Sequence, residues 1–563
     1  MSTNRQTDAP PGETPTIAPT PGDARPVDAP LGDAPPMAVR PGDAPPAPVT
    51  VTVPAPGPGV HVTAPGVAVH VGAPETEPPR VLSGISDVRA FFRTNVVPLY
   101  FISPTPFNLL GIDRWVRNFF YLTYFDSFEG AHPRVFVPRR RDRKDFASIE
   151  DVCNHLLRDP ETLEFIAHRG PGGKASFVML DEETEALAHK AGLEVMHPSA
   201  ALRQRLDSKI VTTRLGEEAG VPSVPNVIGR VGSYDELLAL AHSAGLGDDL
   251  VVQAAYGDSG KTTFFLRGQR DWDHYAGDLV EQELKVMKRI RNLEVCLEGT
   301  LTRHGTVVGP TMTSLIGHPE LTPYKGGWCG NDIWHGALPA GQLHTAREMV
   351  RKLGDGLRRE GYRGFFEVDL LHDLDSGELY LGEINPRVSG ASPMTNVTAE
   401  AYADMPLFLF HLLEYMDVEY ELDVDEINAR WERGAGRDEV WSQLIIKETS
   451  PDLELLTATP RTGVWRLDDD GRISFARWGN DWHSLIDESE AFYMRVAAPG
   501  DYRYKGADLG VLVTRGRLQT DDYELTERCR RWVEGIKAQF ASTPLAPGEA
   551  AAPTAAPPVA IKG

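Results

Sequence analysis

The chain has 563 residues, 41% of them hydrophobic, with ten tryptophans and a formal net charge of −23. That is apolar material for roughly three to four domains' worth of core. So acidic a surface excludes a nucleic-acid or anionic-membrane partner, which calls for a basic face. The four cysteines (Cys153, Cys296, Cys329, Cys529) are scattered without a C-x-x-C pair. They predict a reducing compartment, with neither a disulfide framework nor a zinc site. With no apolar run long enough to span a bilayer and no basic-then-apolar leader, the expected location is cytoplasmic.

Residues 1–80 are Pro, Ala, Gly, Asp and Val with a loose repeat (Pro21-Gly22-Asp23-Ala24, Leu31-Gly32-Asp33-Ala34, Pro41-Gly42-Asp43-Ala44). Such a composition buries too little apolar surface to offset ordering entropy and predicts a disordered tail, as does the stretch 542–563. Strands are expected at Pro98–Ile102, Arg134–Val137 and Ser176–Leu180, and an amphipathic stretch at Trp115–Phe125. An acid-started helix follows at Glu182–Ala191 and stops at Gly192. This alternation predicts a small parallel α/β domain over 81–200. No G-x-G-x-x-G follows either strand, so a dinucleotide site is not expected there.

Residues 199–219 carry the signals of one helix, from the N-cap Ser199 to Gly220 and Pro222. Strands then flank a glycine loop, Tyr256-Gly257-Asp258-Ser259-Gly260-Lys261-Thr262-Thr263. Flexible backbone exposes N–H groups that bind phosphate oxygens, and the lysine adds a point charge. Ala255 to Thr262 nearly matches the P-loop pattern, but a P-loop lysine starts a helix. Here Thr262-Thr263-Phe264-Phe265-Leu266 is strand-forming, so the loop is expected to join two antiparallel strands as a flap.

The chemistry concentrates further on. Phe365–Leu371 and Leu379–Arg387 read as a hairpin closed at Asp375-Ser376-Gly377. Strict alternation sets Glu367 and Asp369 on one face of the first strand. It sets Glu383 and Asn385 on one face of the second, with Tyr380, Gly382 and Ile384 on the other. Hard oxygen ligands grouped this way suit Mg²⁺ bridging nucleotide phosphates. A helical stretch over 400–416, five strands between Trp441 and Thr514 and a closing helix over 522–540 complete the folded part.

Taken in order, Asp207-Ser208-Lys209, Ala219-Gly220-Val221-Pro222, the glycine loop and Glu383-Ile384-Asn385-Pro386-Arg387 resemble the ATP-grasp superfamily of carboxylate ligases. The resemblance covers Asp207 to Asn396. Gln253–Phe265, Thr302-Arg303-His304-Gly305 and Leu321–Asp332 are most similar to the pheganomycin-type peptide ligases of natural-product pathways. The resemblance implies an α/β (α+β) ATP-grasp fold, with a Rossmann-like pre-ATP-grasp domain (81–200), an ATP-grasp domain (201–420) and a strand-rich domain (421–541).

It implies ATP and Mg²⁺, with Mn²⁺ as the substitute. Metal ligands would be Glu367, Glu383 and Asn385; nucleotide contacts Lys209, Gly257, Ser259, Gly260, Lys261, Thr262, Glu283 and Glu298. Arg387 and Lys261 would be the catalytic charges. The partners implied are a small carboxylate and an amine, amino acids or a peptide, with no nucleic acid and no membrane; an oligomer is compatible with all of this.

Two departures stand out. Gln253 occupies the place where many members carry a second lysine before the flap, leaving Lys261 to supply that charge. Val388-Ser389-Gly390-Ala391-Ser392-Pro393 replaces the bicarbonate-handling Glu-His-Pro of biotin carboxylase, and no biotin-carrier segment is visible, which disfavours carboxylation. Two alternatives stay open: an acyl-phosphate enzyme with a non-amine acceptor, and a non-catalytic ATP-binding module. Lys325–Asp332 reads as a polar loop that either caps the acceptor amine or serves as a structural turn. Cys329 is expected to be an unreactive thiol.

Overall fold

Strand β1 (Leu82–Ser83) and helix α1 (Gly84–Arg93) lead into a parallel sheet of five strands, ordered β4-β3-β2-β5-β6. These are β2 (Leu99–Ser103), β3 (Phe119–Thr123), β4 (Val135–Phe136), β5 (Lys174–Phe177) and β6 (Glu194–Val195), with α2 (Ile149–Arg158), α3 (Pro160–Ala167) and α4 (Glu182–Lys190) as crossovers. Every residue of β2 and β3 is buried, the continuous apolar run of a parallel strand covered on both faces. The stretch Trp115–Phe125 is therefore not one amphipathic element, since its centre is β3. The computed structural model describes residues 81–139, 146–257, 262–435 and 439–545. The tail expected over 1–80 lies outside them.

The helix expected over 199–219 is two helices, α5 (Ala200–Leu206) and α6 (Lys209–Glu218). Asp207 ends the first, and the Ser208 hydroxyl caps the second by accepting from the Val211 N–H at 3.4 Å. The break makes Lys209 the first residue of α6 rather than a mid-helix surface lysine. A second, antiparallel sheet follows, ordered β7-β10-β8-β9: β7 (Asn226–Gly229), β8 (Leu250–Ala254), β9 (Thr263–Leu266) and β10 (Leu284–Lys288). Its apolar face (Val252, Phe264, Leu284, Val286) packs with Leu237 of α7 (Tyr234–Ser243) and with Trp272 and Leu279 of α8 (Gln269–Leu279). The glycine loop thus joins antiparallel β8 and β9, as its strand-forming continuation required.

The largest sheet has ten antiparallel strands, ordered β15-β14-β11-β12-β13-β17-β23-β21-β19-β20. Its first part is β11 (Asn292–Thr302), β12 (Gly305–Ile316), β13 (Trp328–Ile333), β14 (Gly364–Asp373) and β15 (Leu379–Asn385). Then come β16 (Tyr420–Glu421), which pairs with β1, and β17 (Trp441–Lys447). The remaining strands are β18 (Glu454–Ala458), β19 (Gly463–Leu467), β20 (Ile473–Arg477), β21 (Glu490–Arg495), β22 (Tyr502–Arg503), β23 (Asp508–Arg515) and β24 (Ala541–Pro544). Pairing of β13 with β17 carries the sheet across residue 420 without a break. Helix α9 (Ala340–Arg359) covers one face, burying Val350, Leu353 and Leu357 against Val295, Leu297, Val368 and Leu370.

Three local expectations change. The polar loop expected over Lys325–Asp332 ends in β13, whose Cys329 is fully buried against Leu315 and Leu444, so the segment is partly core. Ser542–Pro544, expected to start the second tail, belong to β24 and pair with β18, while residues 546–563 lie outside the described chain. In the hairpin, the register shifts by one between Asp369 and Leu370, leaving Gly382 as an extra residue on β15. A bulge inverts the alternation on one side of it. Leu381 and Ile384, three apart, both enter the core, and Tyr380 no longer shares the face of Ile384 but stands opposite Leu371.

Candidate active site

The face of the large sheet turned away from α9 is polar along three neighbouring strands. Cross-strand partners share a face, so Glu298 (β11), Glu367 (β14) and Asn385 (β15) form one row. Cys296, Asp369 and Glu383 form the next. The Asn385 amide donates to Glu367 Oε2 at 2.5 Å and to Asp369 Oδ2 at 3.3 Å. Cys296 Sγ and one oxygen each of Glu367 and Asp369 lie within 4.8 Å of one another. Lys209 reaches across from α6 to an ion pair with Glu383, and its backbone N–H donates to the Ala255 carbonyl at 2.8 Å.

This face and the small sheet enclose a cavity of about 780 Å³, lined by Lys209, Gln253, Glu294, Cys296, Glu367, Asp369 and Glu383 among others. The electrostatics are those of crowded acids. Burial, then Asp369, pushes the Glu367 carboxyl well above its ordinary range. Burial raises Asp369 against the pull of Glu367, Lys209 and Arg387, and Glu294 rises to about 8 through burial and Asp369. Acids held protonated by burial and one another gain from a cation placed among them. Oxygen donors from Glu367, Asp369, Glu383 and Asn385 are the set a hard divalent cation such as Mg²⁺ takes, so these residues fit such an ion.

The structure brings together Lys209, Glu367, Glu383 and Asn385, and adds Asp369, which the expected ligand set left out. Its signal was in the hairpin: Asp369, not Glu367, stands directly opposite Glu383, a pairing visible only once the bulge is counted. Glu294 and Cys296 were also missed, because β11 reads as an ordinary apolar strand. Other expected contacts lie elsewhere. Glu283, expected at the base and ribose, sits at the foot of β10 in an ion pair with Arg214 at 2.8 Å. Glu298 is fully buried and accepts from Ser392 Oγ at 2.5 Å and Thr395 Oγ1 at 2.9 Å, so it holds the loop after Arg387 rather than a ligand. Burial lifts its carboxyl to about 7 against those two hydrogen bonds.

Arg387 is buried with its guanidinium 3.9 Å from Asp207, at the break between α5 and α6. Gly257 holds φ +152°, and a Cβ there would run into Thr262 across the neck of the loop. Ser259, Gly260 and Lys261 lie outside the described residues. The loop after Arg387 is pinned from three directions: Asn108 donates to the Ser389 carbonyl at 2.8 Å, Gln443 to the Gly390 carbonyl at 2.7 Å, and Ser392 to Glu298.

The whole arrangement superposes on solved structures. Biotin carboxylase of Campylobacter jejuni, solved as a β,γ-ATP complex, matches with a TM-score of 0.54 at 12% identity, over 80% of this chain and 92% of that one. The biotin carboxylase domain of Hydrogenobacter thermophilus 2-oxoglutarate carboxylase, solved with MgADP and bicarbonate, matches at 0.53 and 11% identity, over 79% and 90%. The fold is the ATP-grasp fold.

No family model matches the sequence. Among curated proteins, pyruvate carboxylase 1 of Caenorhabditis elegans is 24% identical over 376 residues, 62% of this chain. The butirosin acyl-carrier protein L-glutamate ligase of Niallia circulans is 21% identical over 268 residues, 45% of this chain. The matches span 28% and 61% of those two relatives' lengths. Residues of the polar hairpin and of β8 and β9 line the cavity together. Among the described residues no helix is long and apolar enough to cross a membrane.

Proposed function

We propose that the protein is an ADP-forming ligase that activates a carboxylate as an acyl phosphate and joins it to an amine, the substrates being amino acids or a peptide. The observation that carries this is the meeting, in one cavity, of Glu367, Asp369, Glu383 and Asn385 with the Lys209 ammonium. A relative named as a ligase that joins L-glutamate to an acyl-carrier protein supports an amino acid among the substrates. So do the peptide-ligase-like segments around Gln253, Thr302 and Leu321.

The four oxygen-donor residues would hold Mg²⁺, or Mn²⁺ in its place, which supplies charge neutralisation for phosphoryl transfer. Lys209, fixed by its backbone hydrogen bond to Ala255, presents its ammonium to the nucleotide phosphates, and the Lys261 ammonium would add a second positive charge. A substrate carboxylate oxygen attacks the γ-phosphorus; the bond to the β–γ bridging oxygen breaks and ADP leaves. The amine then adds to the acyl phosphate carbonyl, loses a proton and expels phosphate, and Arg387 would stabilise the developing negative charge. The pinned loop Ser389–Ser392 would shape the substrate end of the cavity. No covalent nucleophile is needed.

The test is product analysis with ATP, pooled amino acids and small acids, one of them carrying heavy oxygen in its carboxylate. ADP, one labelled oxygen in phosphate and a new amide are expected. AMP with pyrophosphate would sink the proposal. A second reading, an acyl-phosphate enzyme with a non-amine acceptor, is favoured by the fold-level likeness to biotin carboxylases. ADP release that responds to bicarbonate and not to amines would select it.

A further inference from the structure

The sequence leaves a charge missing: Gln253 stands on β8 where a lysine before the flap would neutralise phosphate. The structure shows what faces that position. In the antiparallel ladder Lys285 of β10 is the direct partner of Gln253, and Met287 is the partner of Val251. Partners in such a ladder share a face, and Gln253, Val251 and Met287 all line the cavity. Lys285 therefore points to the cavity side of the small sheet, one strand over from the missing lysine.

Its surroundings are unusual for a lysine. Lys285 has no exposed surface, and its ammonium has no hydrogen-bond partner among the described residues. Gln253 donates its amide N–H to the Thr263 hydroxyl of β9 at 3.1 Å and does not accept from Lys285. Desolvation and the nearby Lys209 ammonium bring the Lys285 pKa down to about 7, with Glu217 the anion that partly offsets them. Lys209 already has Glu383 as its counter-ion. A wholly buried ammonium without a partner is costly, and two ammonium groups close enough to feel each other at one wall of a cavity call for an anion shared between them.

We propose that Lys285 binds the nucleotide's polyphosphate together with Lys209, replacing from β10 the lysine that Gln253 lacks on β8. The inference rests on the proposed ATP site and adds to it a specific residue. A polyphosphate lying between the two ammonium groups gives Lys285 its hydrogen-bond acceptors and removes the repulsion from Lys209.

The experiment measures binding of MgATP and of adenosine to the full chain, by calorimetry and ligand-detected NMR, for wild type, Lys285→Met, Lys285→Gln and the double variant Lys285→Met/Gln253→Lys. Loss of a charge-assisted contact to phosphate should weaken MgATP by about ten-fold or more. Adenosine affinity should stay unchanged, and the unfolding midpoint without nucleotide should not fall, because a buried charge has been removed. Returning the lysine to β8 in the double variant should recover most of the MgATP affinity. MgATP affinity within about two-fold of wild type in both single variants would overturn the inference, as would equal losses of ATP and adenosine, which mean contact with the base or a damaged pocket. Wild type that binds no MgATP would instead overturn the reading of the site, and this inference with it.

Discussion

Lys209 and Glu383, 174 residues apart, form a partly buried ion pair in the cavity. The pair ties the first turn of α6 to the polar hairpin, and the Lys209 N–H ties the same turn to Ala255 at the root of the flap. Lys209→Met leaves Glu383 without its counter-charge and the phosphates without an ammonium. ADP formation should fall by about a hundred-fold or more, as when one preorganised donor is removed from a reacting anion. ADP release at saturating ATP measures it, and a loss under about three-fold would remove Lys209 from the phosphate site.

Asp369 and Glu367 should differ as metal ligands. Asp369 stands directly opposite Glu383, whereas Glu367 stands opposite Asn385 and accepts its amide. Asp369→Asn should raise the Mg²⁺ concentration for half-maximal ADP release by about ten- to a hundred-fold. Glu367→Gln, which also removes Asn385's acceptor, should raise it less. A Mg²⁺ titration of both variants decides the order, and an unchanged requirement in Asp369→Asn would return the role to Glu367.

Glu298 holds the substrate-side loop through two buried hydroxyls. Glu298→Ala leaves Ser392 and Thr395 with unmet hydrogen-bonding capacity. It should cost on the order of 2 kcal/mol in urea unfolding, with Glu298→Gln costing less. Nucleotide affinity should not change, because Glu298 serves the loop. A selective loss of ATP affinity would restore the expected nucleotide contact.

His411 gives a pH dependence of known sign. Its Nδ1 accepts from the Phe365 N–H at 3.0 Å and its Nε2 donates to the Met196 carbonyl at 2.8 Å, so only the neutral ring fits. Burial, then the neighbouring His197, holds its pKa well below the ordinary value. Below about pH 6.5 the unfolded chain takes up a proton that the folded chain refuses, so stability falls as pH falls. Urea midpoints of wild type should drop relative to those of His411→Asn as pH is lowered from about 7 to about 5. A constant difference across that range would show that His411 is not held neutral.

Much of the site was legible in the sequence because its signals are local. The hairpin announced itself through alternation and the Asp375-Ser376-Gly377 turn, where Gly377 adopts φ +74°. The glycine loop joins two antiparallel strands and does not open a helix as a P-loop would, because Thr263 to Leu266 form a strand, a property of those residues alone. What the sequence could not order were relationships across the chain. A single extra residue, Gly382, sets Asp369 opposite Glu383, where the unbroken register would set Val368, and a bulge is settled by pairing, not by composition. The split between α5 and α6 turned Lys209 from a helix-surface lysine into a buried one at a helix start.

Glu298 and Glu283 looked alike as acids near strand starts, yet one is enclosed by Ser392 and Thr395 and the other reaches out to Arg214. Lys285 is one of two lysines in β10, and only the ladder sets it beside Gln253. The sequence by itself determined which segments are strands, helices and loops and which residue types were at hand, since propensity and periodicity act over a few residues. Only the tertiary structure decided which charges face one another, because partners such as Lys209 and Glu383 are set by sheet register and by packing between distant segments.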